Sequence, residues 1–549
     1  MPRRLVPPAP GVRPALEDDA CYLAMKARDA RFDGSFFTAV TSTGIYCRPV
    51  CRVKAPRREH CRFFRHAAQC EAEGFRPCLR CRPELAPRRG HWSTEDASRI
   101  LAGQALRLID EPEAWGADTP AMSEVAARLG VSDRHLRRLF EAQFGVSPLQ
   151  YLQTRRLLAA KQLIADTRLP MTQVALSSGF SSVRRFNAAF LTHYGLNPSA
   201  LRRAGPSAGR DGIEVRLGLR PPYDAAAMLG FFARRALPGI ETVDLAAGTL
   251  TRSLSLGRGA RSHSGWLQLR FDPPRHQALL RVSDSLAPVL PAVIGRVRAL
   301  LDLDADPIAI NAVLHDDFPG ADGLRVPGTL DGFELAVRAV LGQQVTVAAA
   351  RTLGGRLVAA LGEACDTPWP GVDRLFPTPA ALAAASGEQF GTLGIVRQRQ
   401  AAIGGLAREV DAGRIALHPG ADLDATLAAL QALPGIGAWT AHYIAMRALR
   451  WPDAWPAGDV ALQKALGVAG PLAAAEAAAA WRPWRSYAVL RLWQGALEPR
   501  TDATVPNCAG ARPAGHPGPG LGRAPAVSIH GIEAREGAPA THRPPPNPP

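Results

Sequence analysis

Two pairs of cysteines, Cys47-x3-Cys51 and Cys78-x2-Cys81, constrain this chain more than any other feature. Thiols so close in sequence sit on tight turns, and two such pairs supply the four soft ligands of one tetrahedral Zn2+. Pro49 and Pro77 stiffen the turns. Arg48, Arg52, Arg80 and Arg82 flank them, which suits a dianionic zinc–thiolate centre beside a phosphate. Ordinary small core residues would not call for that crowd of arginines. Cys21, Cys61, Cys70, Cys365 and Cys508 have no close partner in sequence and read as structural or incidental. An odd total of nine cysteines fits a reducing compartment and a metal site, not a disulfide framework.

The whole chain, 549 residues, is too long for one hydrophobic core, so at least three domains are expected. Its formal charge of +16 is uneven. Residues 1–210 hold 33 Lys or Arg against 19 Asp or Glu, while residues 211–499 hold 27 of each. A polyanion, most simply nucleic acid, is therefore the expected partner of the N-terminal part. No apolar run reaches 18 residues, so no membrane span is expected, and the N-terminus lacks a signal-peptide core. A bacterial cytoplasmic protein associated with the nucleoid is the expectation.

Hydrophobic periodicity divides the chain. Residues 1–14 are Pro/Arg-rich and 500–549 hold 18 Pro or Gly with few large apolar residues; both are expected to be disordered. Residues 15–90 form the cysteine block. Residues 91–204 read as helical, and 205–211 as a linker. Ile213, Val215, Leu217 and Leu219 then alternate with polar residues, and strand-like runs follow at 250–256, 266–271 and 278–282. These place a sheet subdomain at 212–300, and helices return over 301–499. The fold class expected is multidomain α+β.

Within the helical block, Ala126, Gly130, Leu136 and Phe140 follow helix-turn-helix grammar: a small residue at the helix crossing, Gly at the turn, apolar anchors on the second helix. Ser132 is a natural N-cap. Forty-nine residues on, Ala175 and Gly179 repeat the pattern, with Phe186 and Phe190 following and Ser181 or Ser182 as cap. One copy could be a plain helical hairpin. Two copies joined by a long helix over 151–166 point to two recognition helices in successive major-groove segments. Candidate base or phosphate contacts are Arg134, His135, Arg138, Ser182, Arg184 and Arg185.

Further on, Leu433-Pro434-Gly435-Ile436-Gly437-Ala438-Trp439-Thr440 carries a helix–hairpin–helix signal. Gly435 and Gly437 let backbone N–H groups approach a phosphate closely, so this half needs no net positive charge to hold DNA. Asp459 lies 22 residues after Gly437 and is also a natural N-cap for a helix starting at Val460. Six of the ten tryptophans fall between 439 and 493. Most would be core, with two or three free to stack on a flipped, positively charged base.

These phrases resemble known families. Arg28-Asp29-Ala30-Arg31-Phe32-Asp33-Gly34, Thr43-Gly44-Ile45-Tyr46-Cys47-Arg48-Pro49-Val50-Cys51 and Gly74–Pro83 resemble the Ada zinc domain. The resemblance implies that Cys47, Cys51, Cys78 and Cys81 bind one zinc and that Cys47 accepts a methyl group, irreversibly, from a DNA phosphotriester. It also sets Thr43, Lys54 and Arg76 against DNA; Lys54 stands where the family can carry Arg. Residues 91–204 resemble the AraC-type DNA-binding domain, which follows the zinc domain in Ada. Asp459 resembles the catalytic aspartate of helix–hairpin–helix glycosylases. Pro221-Pro222-Tyr223-Asp224, Phe333–Val345, Phe376-Pro377-Thr378-Pro379 and Trp481–Ala488 resemble AlkA, the 3-methyladenine DNA glycosylase, across about 212–497. That likeness puts Trp439, Tyr443 and Trp493 in the base pocket and Gln344 at the DNA wedge, where AlkA can have Leu.

Bifunctional relatives carry a hairpin Lys where this chain has Trp439, so a monofunctional N-glycosylase is expected, with Asp459 stabilising an oxocarbenium-like sugar or activating water. No paired catalytic carboxylate is evident. No Pro-Cys-His-Arg phrase occurs, so direct O6-methylguanine repair is not expected. The leading reading combines phosphotriester sensor, transcription activator working with RNA polymerase, and glycosylase. The alternatives are a pure regulator whose glycosylase-like half only binds DNA, and a constitutive repair enzyme that its N-terminal half targets to DNA.

Overall fold

The computed structural model describes residues 18–87, 97–110, 122–202, 212–257 and 262–495. The expectations for 1–14, 205–211, 500–549 and Cys508 lie outside the described residues. The described residues pack as one compact unit.

The first layer is a four-stranded sheet in the order β3-β1-β2-β4, with β1 Phe37–Val40, β2 Ile45–Cys47, β3 Cys61–Phe64 and β4 Arg76–Pro77. Gly44, at φ +66°, closes the β1–β2 turn. Phe37, Ala39, Tyr46, Cys70 and Phe75 pack on one another beside it. Cys21 and Cys61 share a second small cluster with Met25 and Phe36, and Cys365 is also buried, so these cysteines serve as small apolar residues.

Two helix-turn-helix units follow, with helices Met122–Arg128 and Asp133–Phe144, then Met171–Ser177 and Val183–Tyr194. Ser132 and Ser182 cap the second helices, and Gly145 and Gly195 end them in the left-handed conformation. The joining helix runs Pro148–Asp166, three residues earlier than its apolar pattern indicates, because Ser147 and Gln150 form a capping box with Pro148 at the first helical position.

The second sheet is antiparallel, ordered β5-β9-β8-β7-β6, with β5 Ile213–Gly218, β6 Glu241–Asp244, β7 Thr249–Leu256, β8 His263–Asp272 and β9 Gln277–Val282. The alternation in β5 buries Ile213, Val215 and Leu217. β6 escaped the sequence reading because Glu-Thr-Val-Asp has no apolar alternation; its buried Glu241 is held by Arg252 and Arg338. Beyond the sheet, helices Gly332–Leu341, Arg397–Asp411 and Ala438–Arg447 surround a separate apolar core.

The helix Pro148–Asp166 joins these layers. Lys161 meets Glu84 at 2.5 Å, and Asp166 takes Arg82 at 2.5 Å and the Arg216 N–H of β5 at 3.4 Å. Phe186 and Phe190 share one core with Val215, Leu217 and Leu280. Arg220, 1% exposed, donates to the carbonyls of Asp33 (2.7 Å) and Pro87 (3.1 Å) on one side, and of Asp304 and Ala305 (both 2.9 Å) on the other. The β1–β4 sheet, the helix-turn-helix units and the β5–β9 sheet are thus bonded through their interiors.

Candidate functional site

Strand pairing builds the thiol cluster. β2 and β4 run parallel with Tyr46 opposite Pro77, so Cys47 and Cys78 emerge side by side, and the Cys78 N–H bonds to the Tyr46 carbonyl at 2.9 Å. The Cys51 N–H closes its turn on the Arg48 carbonyl at 3.1 Å. All four sulfurs lie within 4.8 Å of one another, close to the roughly 3.8 Å separation that Zn–S bonds of about 2.3 Å impose in a tetrahedron. A thiol set of this geometry fits one zinc ion.

The flanking arginines divide in role. Arg48 is buried against Asp33, and Arg82 bonds to Glu84 and Asp166. Arg48 also supports the thiol cluster, its backbone N–H donating to the Cys81 sulfur at 3.3 Å and its guanidinium to the Cys81 carbonyl at 3.0 Å, whereas Arg82 is turned to buried carboxylates. Arg52 and Arg80 stay exposed. Thr43 in the β1–β2 turn and Arg76 on β4 are exposed neighbours, since the Arg76 N–H bonds to the Gly44 carbonyl at 2.8 Å. Arg76 also reaches the Tyr194 carbonyl at 3.4 Å. Lys54 is exposed after the second thiol.

Arg134 and Arg138 project exposed from the first recognition helix, with His135 Nδ1 3.1 Å from Arg138. On the second, Arg184 and Arg185 are exposed, and Arg185 bonds to the Ser181 hydroxyl at 3.3 Å. The Ser182 hydroxyl oxygen accepts the Arg185 N–H at 3.2 Å as the helix cap, leaving its own O–H to donate.

In the C-terminal half Gly435, at φ +85°, forms the hairpin turn, and Gly437 caps the helix Ala438–Arg447. That helix carries Trp439 and Tyr443 one turn apart, their rings stacked at 5.4 Å and 10°. Trp493 lies 6.2 Å from Tyr443. Asp459 caps the helix Val460–Leu466 through the Leu462 N–H at 3.0 Å. Its other oxygen, Oδ2, accepts the Trp439 indole N–H at 2.9 Å, and the Trp493 indole N–H points at the capping oxygen, Oδ1, from 3.4 Å. The four predicted residues therefore form one cluster. Trp455 and Trp481 are core residues. Gln344 stands exposed at φ +54° between two helices, with Val345 and Val347 exposed beside it.

Sequence reasoning missed two supports. Gln343 donates to the Gly435 carbonyl and the Thr440 hydroxyl, both at 2.9 Å, holding the hairpin from outside. Arg447 donates to the Tyr443 phenol oxygen at 2.6 Å. Only the i, i+4 spacing of Tyr443 and Arg447 hinted at the second.

Among the described residues no helix is long and apolar enough to cross a membrane. Three family models match: the metal binding domain of Ada over 20–84, a helix-turn-helix domain over 125–204, and the AlkA N-terminal domain over 214–331. A probable bifunctional transcriptional activator/DNA repair enzyme AlkA of Mycobacterium tuberculosis is 39% identical over 493 residues, covering 86% of this chain and 96% of the relative. DNA-3-methyladenine glycosylase 2 of Escherichia coli is 36% identical over 277 residues, covering 50% of this chain and 95% of its own. The bifunctional activator and repair enzyme Ada of Escherichia coli is 36% identical over 166 residues, 30% of this chain and 43% of its own. The chain belongs to the family of bifunctional transcriptional activators and DNA repair enzymes, joining an Ada-type zinc sensor and helix-turn-helix regulator to an AlkA-type DNA glycosylase.

Proposed function

We propose that Cys47 takes a methyl group from a phosphotriester in the DNA backbone and that Asp459 drives hydrolytic release of alkylated bases such as 3-methyladenine. Zinc, when bound by Cys47, Cys51, Cys78 and Cys81, keeps the four sulfurs as thiolates. The Cys47 sulfur then bonds the methyl carbon while the carbon–oxygen bond breaks and its electron pair stays on the phosphate. One negative charge leaves the cluster, so DNA is repelled less and damage becomes tighter promoter binding. Thr43, Lys54 and Arg76 serve as phosphate contacts. Arg134, His135, Arg138, Ser182, Arg184 and Arg185 serve as groove contacts, and RNA polymerase is the partner of the activated form. The protein works in the cytoplasm at the nucleoid.

For excision, the base flips against Trp439, Tyr443 and Trp493 while Gln344 fills the gap left in the duplex and the Gly435–Gly437 hairpin holds the backbone. N-alkylation already weakens the glycosidic bond. The Asp459 carboxylate stabilises the oxocarbenium-like sugar or orients the attacking water. The single observation that carries this reading is the Asp459 carboxylate bonded to the indole of Trp439 at the mouth of the aromatic cluster.

A base-release assay on alkylated duplex tests it. Asp459→Asn should abolish 3-methyladenine release and leave folding and DNA binding near wild type; undiminished release would overturn the catalytic assignment of Asp459, whereas no release by the wild type would reduce this half to a DNA-binding module. For the sensor, Cys47→Ala should stop methyl transfer from methylated backbone DNA, and labelled methyl on another cysteine would refute the acceptor assignment.

A further inference from the structure

Arg447 is 7% exposed and lies behind the aromatic cluster. Its guanidinium donates to the Pro327 carbonyl (2.8 Å), the Gly328 carbonyl (2.9 Å) and the Tyr443 phenol oxygen (2.6 Å). Its carbon sits 4.8 Å from the Phe231 ring centre. Arg235 covers the same Phe231 ring at 3.9 Å. Among the described residues neither forms an ion pair, whereas nearby Arg252 and Arg338 are matched by Glu241 and Glu334. Phe231, Arg235 and Arg325 line a cavity of about 40 Å³ together with Trp493. The Tyr443 phenol registers the charge: burial pushes its pKa up, yet Arg447 and Arg235 outweigh this and leave it below the ordinary value.

The aromatic cluster therefore has unmatched cations at its Tyr443–Phe231 end and the Asp459 carboxylate at its Trp439 end. An N-alkylated base enters as a cation and leaves neutral, while the positive charge passes to the sugar. A fixed cation on the base side opposes the starting charge distribution more than the one at the transition state. We propose that Arg447, supported by Arg235, is a specificity and rate determinant of this glycosylase, weakening ground-state binding of cationic bases and driving their charge toward the sugar beside Asp459.

This rests on the assignment of Asp459, Trp439 and Tyr443 to the excision site. Single-turnover release of 7-methylguanine from duplex DNA tests it in wild type, Arg447→Met, Arg447→Lys and Asp459→Asn. Arg447→Met should lower the maximal rate about tenfold and also lower the half-saturating concentration several-fold, the signature of relieved ground-state opposition. Arg447→Lys should restore most of both. A lowered rate with unchanged or raised half-saturation, or no rescue by Lys, would overturn the proposal and leave Arg447 a structural prop.

Should Arg447→Met fold poorly, equilibrium binding with Asp459→Asn and Asp459→Asn/Arg447→Lys gives a second readout. It compares duplexes bearing 7-methylguanine and its neutral isostere 7-methyl-7-deazaguanine. The ratio of the two affinities should stay constant while charge is kept, and should shift severalfold toward the cationic base in Asp459→Asn/Arg447→Gln. An unchanged ratio in the Gln variant would refute the proposal. Wild-type release by Asp459→Asn would instead refute the excision-site assignment itself.

Discussion

Three donors fix the two oxygens of Asp459: the Leu462 N–H and the two indoles of Trp439 and Trp493. Trp439 thus offers a face to a base and a proton to the carboxylate, and the two contributions separate by substitution. Trp439→Phe keeps the face and loses the bond. The rate of base release should fall about tenfold, with global stability changing by about 1 kcal/mol, measured by single-turnover kinetics and urea unfolding. Glu71 offers a second residue-scale check. Burial raises its pKa from 4.5 to about 7, although the Thr154 and Tyr46 hydroxyls donate to it at 2.8 and 2.9 Å. Between those two pH values the folded chain binds more protons than the unfolded one, so this group's contribution is fully present below 4.5 and is lost as pH rises through 7. Glu71→Gln stays neutral throughout. Its melting temperature relative to wild type should therefore climb from pH 5 to pH 8, with up to about 3 kcal/mol in play.

Elements with strong local signals were legible in the sequence, and those made by tertiary pairing were not. Ser132 and Ser182 announced the two recognition helices through capping chemistry, and β5 announced itself by alternation. Asp459 was legible as a cap, and its carboxylate does accept the Leu462 N–H at the start of that helix. β6 has no such pattern and exists because Arg252 and Arg338 neutralise Glu241. The carboxylate partners of Arg48 and Arg82 were not legible, because an arginine beside a thiol looks the same in sequence whether it meets phosphate or a buried carboxylate. Tertiary constraint also fixes a small residue at the end of β5. A Cβ on Gly218 would fall 2.1 Å from the Leu85 carbonyl oxygen, and backbone cannot yield there. Gly218→Ala should destabilise the chain by about 2 kcal/mol, read as a lower urea midpoint with unchanged slope, although no catalytic residue is near it in sequence.

At the scale of the molecule, charge and architecture assign DNA binding differently to the two halves. Most of the basic excess lies within residues 1–210, and on the proposed function the neutral half over 211–499 uses hairpin backbone and aromatic faces instead. Yet the halves share one interior, in which Phe190 and Leu217 belong to one core and Arg220 bonds both sides. A fused sensor and glycosylase built this way should unfold as one body. Arg220→Met keeps the aliphatic stem and leaves four carbonyls, those of Asp33 and Pro87 and the partly buried ones of Asp304 and Ala305, without this donor. Losing a charged donor to several buried or partly buried acceptors costs about 3 kcal/mol. Because those acceptors belong to both sides of the junction, the loss should also decouple them. Wild type should melt in a single calorimetric transition, and Arg220→Met in two. Zinc removal should lower only the first of these in the variant, while it lowers the whole transition in the wild type. A single shifted transition in Arg220→Met would mean that the shared apolar core, without this arginine, suffices to hold sensor and glycosylase together.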